Sequence, residues 1–135
     1  MSVFRDSKHA AEFLGGFFRE EATSGGKFFA GSGVSTAYVL SDPALRIVLD
    51  ATVTPQPGRQ FAVHVDDPNA PEPTAEFFMD ADTFDKLYRG EAQAMALLAM
   101  GKVKTKGNLA AAMKLLPALG AVVPHYKKYC AEHGR

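Results

Sequence analysis

The stretch from Gly101 to Asn108 constrains the fold of this chain most, because it joins a strand pattern to a helix start. Between residues 102 and 106 every second residue is lysine, so in a strand the lysines share one face and the residues between them share the other. Asn108 is then a good N-cap for an apolar helix over residues 109–116. The stretch predicts a half-buried strand that leads directly into a helix.

Four further segments show the apolar and polar alternation of half-buried strands. They are Val34 to Leu40, Leu45 to Val53, Phe61 to Asp66 and Ala75 to Asp80. The first two are separated by residues 41–44, a good hairpin connection, and a turn at residues 55–58 precedes the third. This alternation predicts an α+β fold with a five-stranded, mostly antiparallel sheet that is solvated on one face and covered by helices on the other.

Apolar residues at three- and four-residue spacing, together with caps and prolines, predict the helices. The predicted segments are residues 7–22, a helix from the N-cap Asp80 to Gly90, residues 91–100, a helix from 109 that Pro117 ends, and residues 124–132 with Pro124 in first position. Gly15 and Gly16 each cost about 1 kcal/mol relative to alanine inside the first helix. That helix is therefore expected to press closely against a neighbour or to be able to move.

Length and composition predict a single domain over residues 1–135. Apolar residues make up 47% of the chain and charged residues 22%, and no apolar run approaches the roughly 18 residues that span a membrane. Residues 1–6 lack a secretory pattern, the last residues are not Ser-Lys-Leu, and the single cysteine, Cys130, agrees with a reducing compartment. The expected location is the cytoplasm.

Charge is unevenly distributed although the net charge is zero. From Gly101 onward the chain has seven basic residues and one acidic residue, whereas the first hundred residues carry eight basic and fourteen acidic ones. A neutral protein with this distribution can present a positive surface to anionic head groups or phosphates. The alternative is an ordinary solvated edge.

Catalytic and metal-binding patterns are weak in this sequence. The four histidines lack the spacing that places two ligands on one helix face, so no metal site is expected. Cys130 and His133 are neighbours on the last predicted helix, and a small hydrolase using Cys130, His125 or His133 is one alternative, although no third group is visible to orient them. The sequence predicts neither catalytic residues nor a cofactor, and no nucleic-acid partner.

An ordered set of elements between Asp82 and Leu115 carries a family resemblance. It comprises the helix Asp82 to Gly90, the apolar helix Glu91 to Met100, the Gly-Lys-Val-Lys strand, and the Gly-Asn that opens a helix ending in Met113-Lys114-Leu115. This set resembles the signature of the sterol carrier protein 2 (SCP2) family. The resemblance implies a five-stranded sheet with helices packed on one side around an apolar tunnel.

The same resemblance implies that apolar side chains hold an acyl chain or a sterol-like body. The candidate ligand-binding residues are Phe77, Phe84, Leu87, Met95, Leu98, Met100, Leu109, Met113 and Leu116. Five methionines and ten phenylalanines supply soft and flat side chains that suit a ligand of variable shape, although an ordinary core explains the composition as well. The predicted function is non-catalytic binding and transfer of fatty acyl chains, acyl-CoA or sterol-like molecules.

Two further roles remain open at this point. The protein could act as an accessory subunit that presents lipid or quinone-like substrates to a lipid-metabolising enzyme. Its C-terminal helix also combines apolar and basic side chains, which suits a lid or a transient contact with a membrane surface. The residues of that helix are Val122, Val123, Tyr126 and Tyr129 beside Lys127 and Lys128.

Overall fold

The computed structural model describes residues 3–24, 33–53, 59–114 and 116–134. In chain order its elements are α1 (Ser7–Ser24), β1 (Ser35–Ser41), β2 (Leu45–Asp50), β3 (Ala62–Val65), β4 (Ala75–Asp80), α2 (Ala81–Tyr88), α3 (Ala94–Ala99), β5 (Lys104–Gly107), α4 (Leu109–Met113) and α5 (Leu116–Glu132). The predicted α+β class and the five strands are confirmed. The turn expected at residues 55–58 lies outside the described residues.

The five strands form one sheet in the order β3-β2-β1-β4-β5. Three neighbouring pairs are antiparallel, as the alternation predicts, but β1 and β4 are parallel. The parallel pair arises because residues 66–74 return the chain to the start of β1, where the Thr74 N–H donates to the Ser35 carbonyl at 2.7 Å. The sheet is therefore mixed, and β1 lies at its centre.

One face of the sheet carries the apolar side chains that meet the helices. Tyr38 stands in register with Ile47 on one side and Phe77 on the other, and all three contribute to the apolar core or pack against it. Helices α1, α2 and α5 complete this core with a cluster of aromatic rings. We call this covered side of the sheet the inner face.

The two central glycines of α1 make close approaches to neighbouring elements. A Cβ atom on Gly15 would lie 3.1 Å from a methyl carbon of Val65, and one on Gly16 would lie 2.7 Å from the Tyr129 hydroxyl oxygen. The expectation of a tightly pressed helix is thereby confirmed: a Cβ at Gly16 would require Tyr129 to shift, and one at Gly15 would require Val65 or Arg19 to give slightly.

Replacing Gly16 by alanine is expected to lower the free energy of unfolding by about 1 to 2 kcal/mol, although alanine is the better helix former. The new methyl group would collide with the hydroxyl of Tyr129, which is buried and donates to the Phe13 carbonyl at 2.9 Å. Gly120 of α5 is the matched control, because a Cβ there meets nothing within 4 Å. In urea unfolding, Gly120→Ala should raise the free energy of unfolding by up to about 1 kcal/mol. If both variants changed the free energy of unfolding in the same direction, this account would be contradicted.

The predicted helix caps are confirmed where the structure describes them. The Asp80 carboxylate accepts from the Thr83 N–H at 2.7 Å, and hydrogen bonding with Thr83, first with its side chain and then with its backbone, lowers the pKa of that carboxyl. The Asn108 side chain accepts from the Ala111 N–H at 3.1 Å, and Gly90 follows the end of α2 with a left-handed backbone, at φ 74°.

Several predicted boundaries are wrong. Pro124 does not open the last helix, because α5 already begins at Leu116 and Pro124 lies inside it. Pro117 does not end α4 either, since it lies in the first turn of α5, where a missing N–H costs little. Helix α3 covers only part of the predicted residues 91–100, and Lys102 lies before β5 rather than in it.

Candidate functional site

An apolar groove lies where the C-terminal end of α2, helix α3 and helix α5 meet. It is open to solvent and has a volume of about 300 Å³. Its walls are Leu87, Gly90, Ala92, Gln93, Ala94, Met95, Leu119, Gly120 and Val123. Eight of these nine side chains are apolar or absent, so the groove offers a ligand burial in place of hydrogen bonds.

Small residues give this groove its shape. A Cβ on Gly90 would lie 3.1 Å from a methyl carbon of Val123, so α2 and α5 approach each other closely at one end of the groove. Gly120 lies on the wall formed by α5 and leaves space around itself, because a Cβ there meets no atom within 4 Å. Ala92 and Ala94 are half-buried beside it.

Three of the candidate ligand-binding residues are large apolar side chains that remain exposed. Met95 is 56% exposed, Met100 64% and Leu109 47%. Met95 lies in the groove, and Met100 caps the C-terminal end of α3. Exposed methionines of this kind present soft apolar surface that costs free energy in water unless a partner covers it.

Three other candidates are partly buried on the same side of the molecule. Phe77 belongs to the inner face of β4, yet it is only partly buried, as are Leu98 of α3 and Met113 of α4. Leu87 is buried and also contributes to the wall of the groove. These residues and the exposed ones lie on β4, α2, α3 and α4, and of them only Leu87 and Met95 line the groove.

Two candidates stand apart from this region. Phe84 has no exposed surface and stacks on Tyr88 with ring centroids 4.3 Å apart, in the middle of the aromatic core. The side chain of Leu116 lies outside the described part of the structure. The apolar tunnel that the resemblance implies is not shown, and both the tunnel and the assignment of its lining residues stay predictions.

Sequence reasoning missed most residues of the α5 wall. Leu119 and Gly120 had no motif of their own, and they reach the groove only because α5 packs against α2 and α3. A signal for Val123 was present, because the apolar and basic pattern of the C-terminal helix singled it out. Val122, Tyr126 and Tyr129 of that helix are buried, whereas Lys127 and Lys128 are exposed. The lid hypothesis stays a prediction.

Hydrogen bonds between buried tyrosines and an acid cross the aromatic core. The Tyr126 hydroxyl donates to Asp85 Oδ1 at 2.6 Å, and Arg89 Nε donates to Asp85 Oδ2 at 3.0 Å. The Tyr88 hydroxyl donates to the Tyr38 hydroxyl at 2.8 Å. Burial raises the pKa of Tyr38 to about 12 and the pKa of Tyr88 well above its usual value, so both hydroxyls stay protonated near neutral pH.

A second groove, of about 620 Å³, lies beside the C-terminal end of α1 and strands β2 and β3. Six of its eleven lining residues are apolar, and Arg19, Asp50, Arg59 and His64 add charged or titratable groups to the wall. A long apolar chain gains less beside such groups, because they lose water without finding partners in it. The smaller apolar groove is therefore the better candidate for a lipid.

The structure includes all three residues of the hydrolase alternative, Cys130, His125 and His133. Cys130 is buried, so its thiol is closed to a substrate in solution. His133 Nδ1 lies 2.8 Å from the Tyr129 carbonyl oxygen, and His125 Nδ1 lies 3.0 Å from Glu21 Oε2. The Glu21 carboxylate orients the His125 ring, whose side chain is 53% exposed, and the Tyr129 carbonyl fixes the His133 ring. The buried thiol of Cys130 is therefore the weakest part of the hydrolase hypothesis. Within residues 3–24, 33–53, 59–114 and 116–134, no group of three acidic, histidine or cysteine side chains could hold a metal ion.

The lysines of the 102–106 stretch point outward, as the alternation predicts. Lys104 and Lys106 are exposed on the outer face of β5, while Val103 is buried and Thr105 is half-buried. None of the helices in the described ranges has the length and hydropathy required of a transmembrane span.

Comparison with known proteins gives one family match. A family model described as the SCP-2 sterol transfer family matches residues 19–120. Among curated proteins, none matches this chain in sequence.

Several solved structures share the fold. The apo form of sterol carrier protein 2 from Yarrowia lipolytica superposes with a TM-score of 0.62 and 19% identity, over 90% of this chain and 98% of that one. Palmitated SCP2L2 from Aedes aegypti gives a TM-score of 0.57 at 12% identity, over 88% and 95%. The sec-alkylsulfatase Pisa1 from Pseudomonas sp. gives 0.55 at 16% identity over 75% of this chain, which spans only 15% of the sulfatase. At these identities the similarity shows the fold alone.

Proposed function

The chain belongs to the SCP-2 sterol transfer family, and on that premise we propose that it binds and transfers lipids without any chemistry of its own. The observation that carries the proposal is the open apolar groove between α2, α3 and α5, with two exposed methionines on α3 and at its end. Its volume is at the lower end of the range typical of ligand pockets. A groove of this size accommodates part of an acyl chain, and the partly buried Phe77 of β4 and Met113 of α4 are candidates for further apolar contact.

Burial of the acyl chain supplies the driving force. Each methylene removed from water contributes about 0.8 kcal/mol, so eight methylenes contribute roughly 6 kcal/mol before the cost of association. Fatty acyl chains are the ligand class that we favour, since palmitate accompanies the relative from Aedes aegypti. An open groove also allows the chain to leave again, which transfer between donors and acceptors requires.

Filling the groove is expected to weaken lipid binding. Gly120→Leu places a bulky side chain in the free space on the α5 wall, so the affinity for a fluorescent fatty acid should fall by about tenfold, which corresponds to the loss of contact with two methylenes. The matched control is Ala121→Leu, an exposed position on the same helix that does not line the groove. Fluorescence titration of both variants checks the prediction.

Two results would speak against the groove as the lipid site. The first is an unchanged affinity in Gly120→Leu, and the second is an equal loss in the Ala121→Leu control. Thermal unfolding of both variants should accompany the titrations, because a general loss of structure lowers the affinity without involving the groove.

A second candidate is an accessory role, in which the domain presents a lipid to a partner enzyme. The observation that favours it is the sec-alkylsulfatase Pisa1, where a part with this fold belongs to a much longer enzyme chain. Purification of the tagged protein from its own cells, followed by mass spectrometry of co-purified chains, tests this role. A reproducible enzyme partner in stoichiometric amount is the expected result, and purification of the protein alone would count against it.

A further inference from the structure

The centre of the inner face carries hydrogen-bonding capacity that the described residues leave unused. Tyr38 and Tyr88 have two hydroxyl hydrogens between them, and one hydrogen bond of 2.8 Å joins the two oxygens. Whichever phenol donates, the hydrogen of the other has no acceptor among the described residues. Two residues earlier on the same face of β1, Thr36 is 1% exposed and its Oγ1 has no hydrogen-bond partner in the described structure.

A buried donor without an acceptor is unfavourable, and a fold normally supplies one. This chain does so elsewhere in the same cluster, because the hydroxyl of Tyr126 donates to the Asp85 carboxylate. The contrast is informative, since the rings of Tyr88 and Tyr126 lie only 5.7 Å apart. In a fold that binds ligands, unused donors on the inner face indicate that a ligand atom completes them.

The tyrosine pair lies next to the apolar surface that we propose for the acyl chain. Tyr38 stacks on Phe77, with ring centroids 5.8 Å apart, and Phe77 is only partly buried although it points to the inner face. Leu87 of the groove wall directly precedes Tyr88 in α2. Because Tyr38 is buried, a chain lying over Phe77 must displace that ring for an oxygen atom to reach the Tyr38 hydroxyl.

The chemistry of the cluster favours a neutral oxygen. Both phenols are protonated donors, since burial holds the pKa of each above its usual value. Asp85 brings a buried negative charge into the same cluster, and Arg89, the cation of this network, is already paired with it. A carboxylate entering here would find the one free hydrogen of the tyrosine pair and the Thr36 hydroxyl but no free counter-charge, whereas a carbonyl or ester oxygen needs only a donor.

We propose that Tyr38 and Tyr88, assisted by Thr36, form a recognition point for the neutral carbonyl or ester oxygen of a bound lipid. The proposal rests on the proposed lipid-binding function and deepens it, because it names the chemical class that the site selects. The apolar groove takes the hydrocarbon part of the ligand, and the tyrosine pair selects among chains of equal length.

Ligands of equal chain length that differ in their oxygen atoms separate lipid binding in the groove from recognition of an oxygen by the tyrosine pair. We would measure the displacement of a fluorescent acyl probe by 2-dodecanone, dodecane and dodecanoate, using the wild-type chain and Tyr38→Phe/Tyr88→Phe. The double variant keeps the ring shapes and removes both hydroxyls, a change that is nearly neutral for the fold. The ratio of ketone to alkane affinity is the readout, because a general loss of structure lowers both affinities together.

The wild type should bind the ketone about tenfold more tightly than the alkane, the effect of one well-formed hydrogen bond, and the double variant should reduce this ratio to about twofold or less. Thr36→Val, which leaves the tyrosine pair intact, should lower the ratio by a smaller factor. Tyr129→Phe is the matched control, because its hydroxyl already has an acceptor, and it should keep the wild-type ratio.

Equal ketone and alkane affinities in the wild type would overturn the recognition point while leaving lipid binding in place. A preference that persists in the double variant would overturn the assignment to Tyr38 and Tyr88. Tighter binding of dodecanoate than of the ketone would overturn the preference for a neutral oxygen. Failure of all three probes to bind the wild type would overturn the proposed function, and this inference with it.

Discussion

Replacing Asp85 by alanine is expected to lower the free energy of unfolding by about 3 kcal/mol. Asp85 is 4% exposed, and its carboxylate accepts from Tyr126 at 2.6 Å and from Arg89 at 3.0 Å. Its removal leaves the hydroxyl of Tyr126, which has no exposed surface, without this acceptor and creates a small void. Breaking a buried charged pair from one side costs about 3 to 5 kcal/mol, and the partial exposure of Arg89 places this case at the lower end.

The measurement is urea unfolding of Asp85→Ala beside Asp82→Ala. Asp82 belongs to the same helix but is half-buried, and it accepts a hydrogen bond from the Val3 N–H at 2.9 Å near the surface. The control should therefore lose only about 1 kcal/mol. Tyr126→Phe should show a loss that is not additive with Asp85→Ala, because the two variants remove the same contact. Additive losses, or similar losses in the two aspartate variants, would contradict the importance of this network.

The sequence predicted the local elements of this fold well, because their signals are local. Alternation correctly placed Ile47 and Leu49 of β2 and Met79 of β4 on the inner face, but the predicted solvated face is wrong at the central strands, where Ala37 and Val48 are buried as well. The caps at Asp80 and Asn108 are made by side chains within three residues of the groups that they bond. Helix lengths were less predictable. Pro124 is tolerated inside α5, where packing of the buried residues on either side of it, Val122 and Tyr126, outweighs the local preference for a helix start.

The candidate site was predictable only in part, since it depends on contacts between distant segments. Met95 and Leu87 were found through the family resemblance, but Gly120 enters the groove only because α5 packs on α2. The separation of Phe84 from the exposed candidates has the same origin, since helical spacing alone cannot tell a core position from a cavity wall. The buried network of Asp85 gave no sequence signal, because its partner Tyr126 lies 41 residues away.

Alkaline pH is expected to destabilise the protein through the two tyrosines at its centre. In the unfolded chain a tyrosine loses its proton near pH 10, whereas burial raises the pKa of Tyr38 in the fold to about 12 and raises that of Tyr88 as well. The stabilisation is fully present below pH 10 and is lost as pH rises toward 12, because the unfolded state releases these protons first. Two pH units correspond to about 3 kcal/mol for Tyr38 alone.

The test compares urea unfolding of the wild type and of Tyr38→Phe/Tyr88→Phe between pH 9 and pH 12. The double variant lacks both titrations, so the wild type should lose about 3 kcal/mol or more relative to it over this range, while other alkaline effects act on both chains alike. Absorbance of the phenolate in the folded wild type gives an independent measure, because these two rings should ionise only as the fold opens. Two results would show that the pair is open to water: stability curves of the two chains that run parallel with pH, or ionisation of all four tyrosines near pH 10 in the folded state. Either result would contradict the low-dielectric environment on which the proposed selectivity for a neutral oxygen depends.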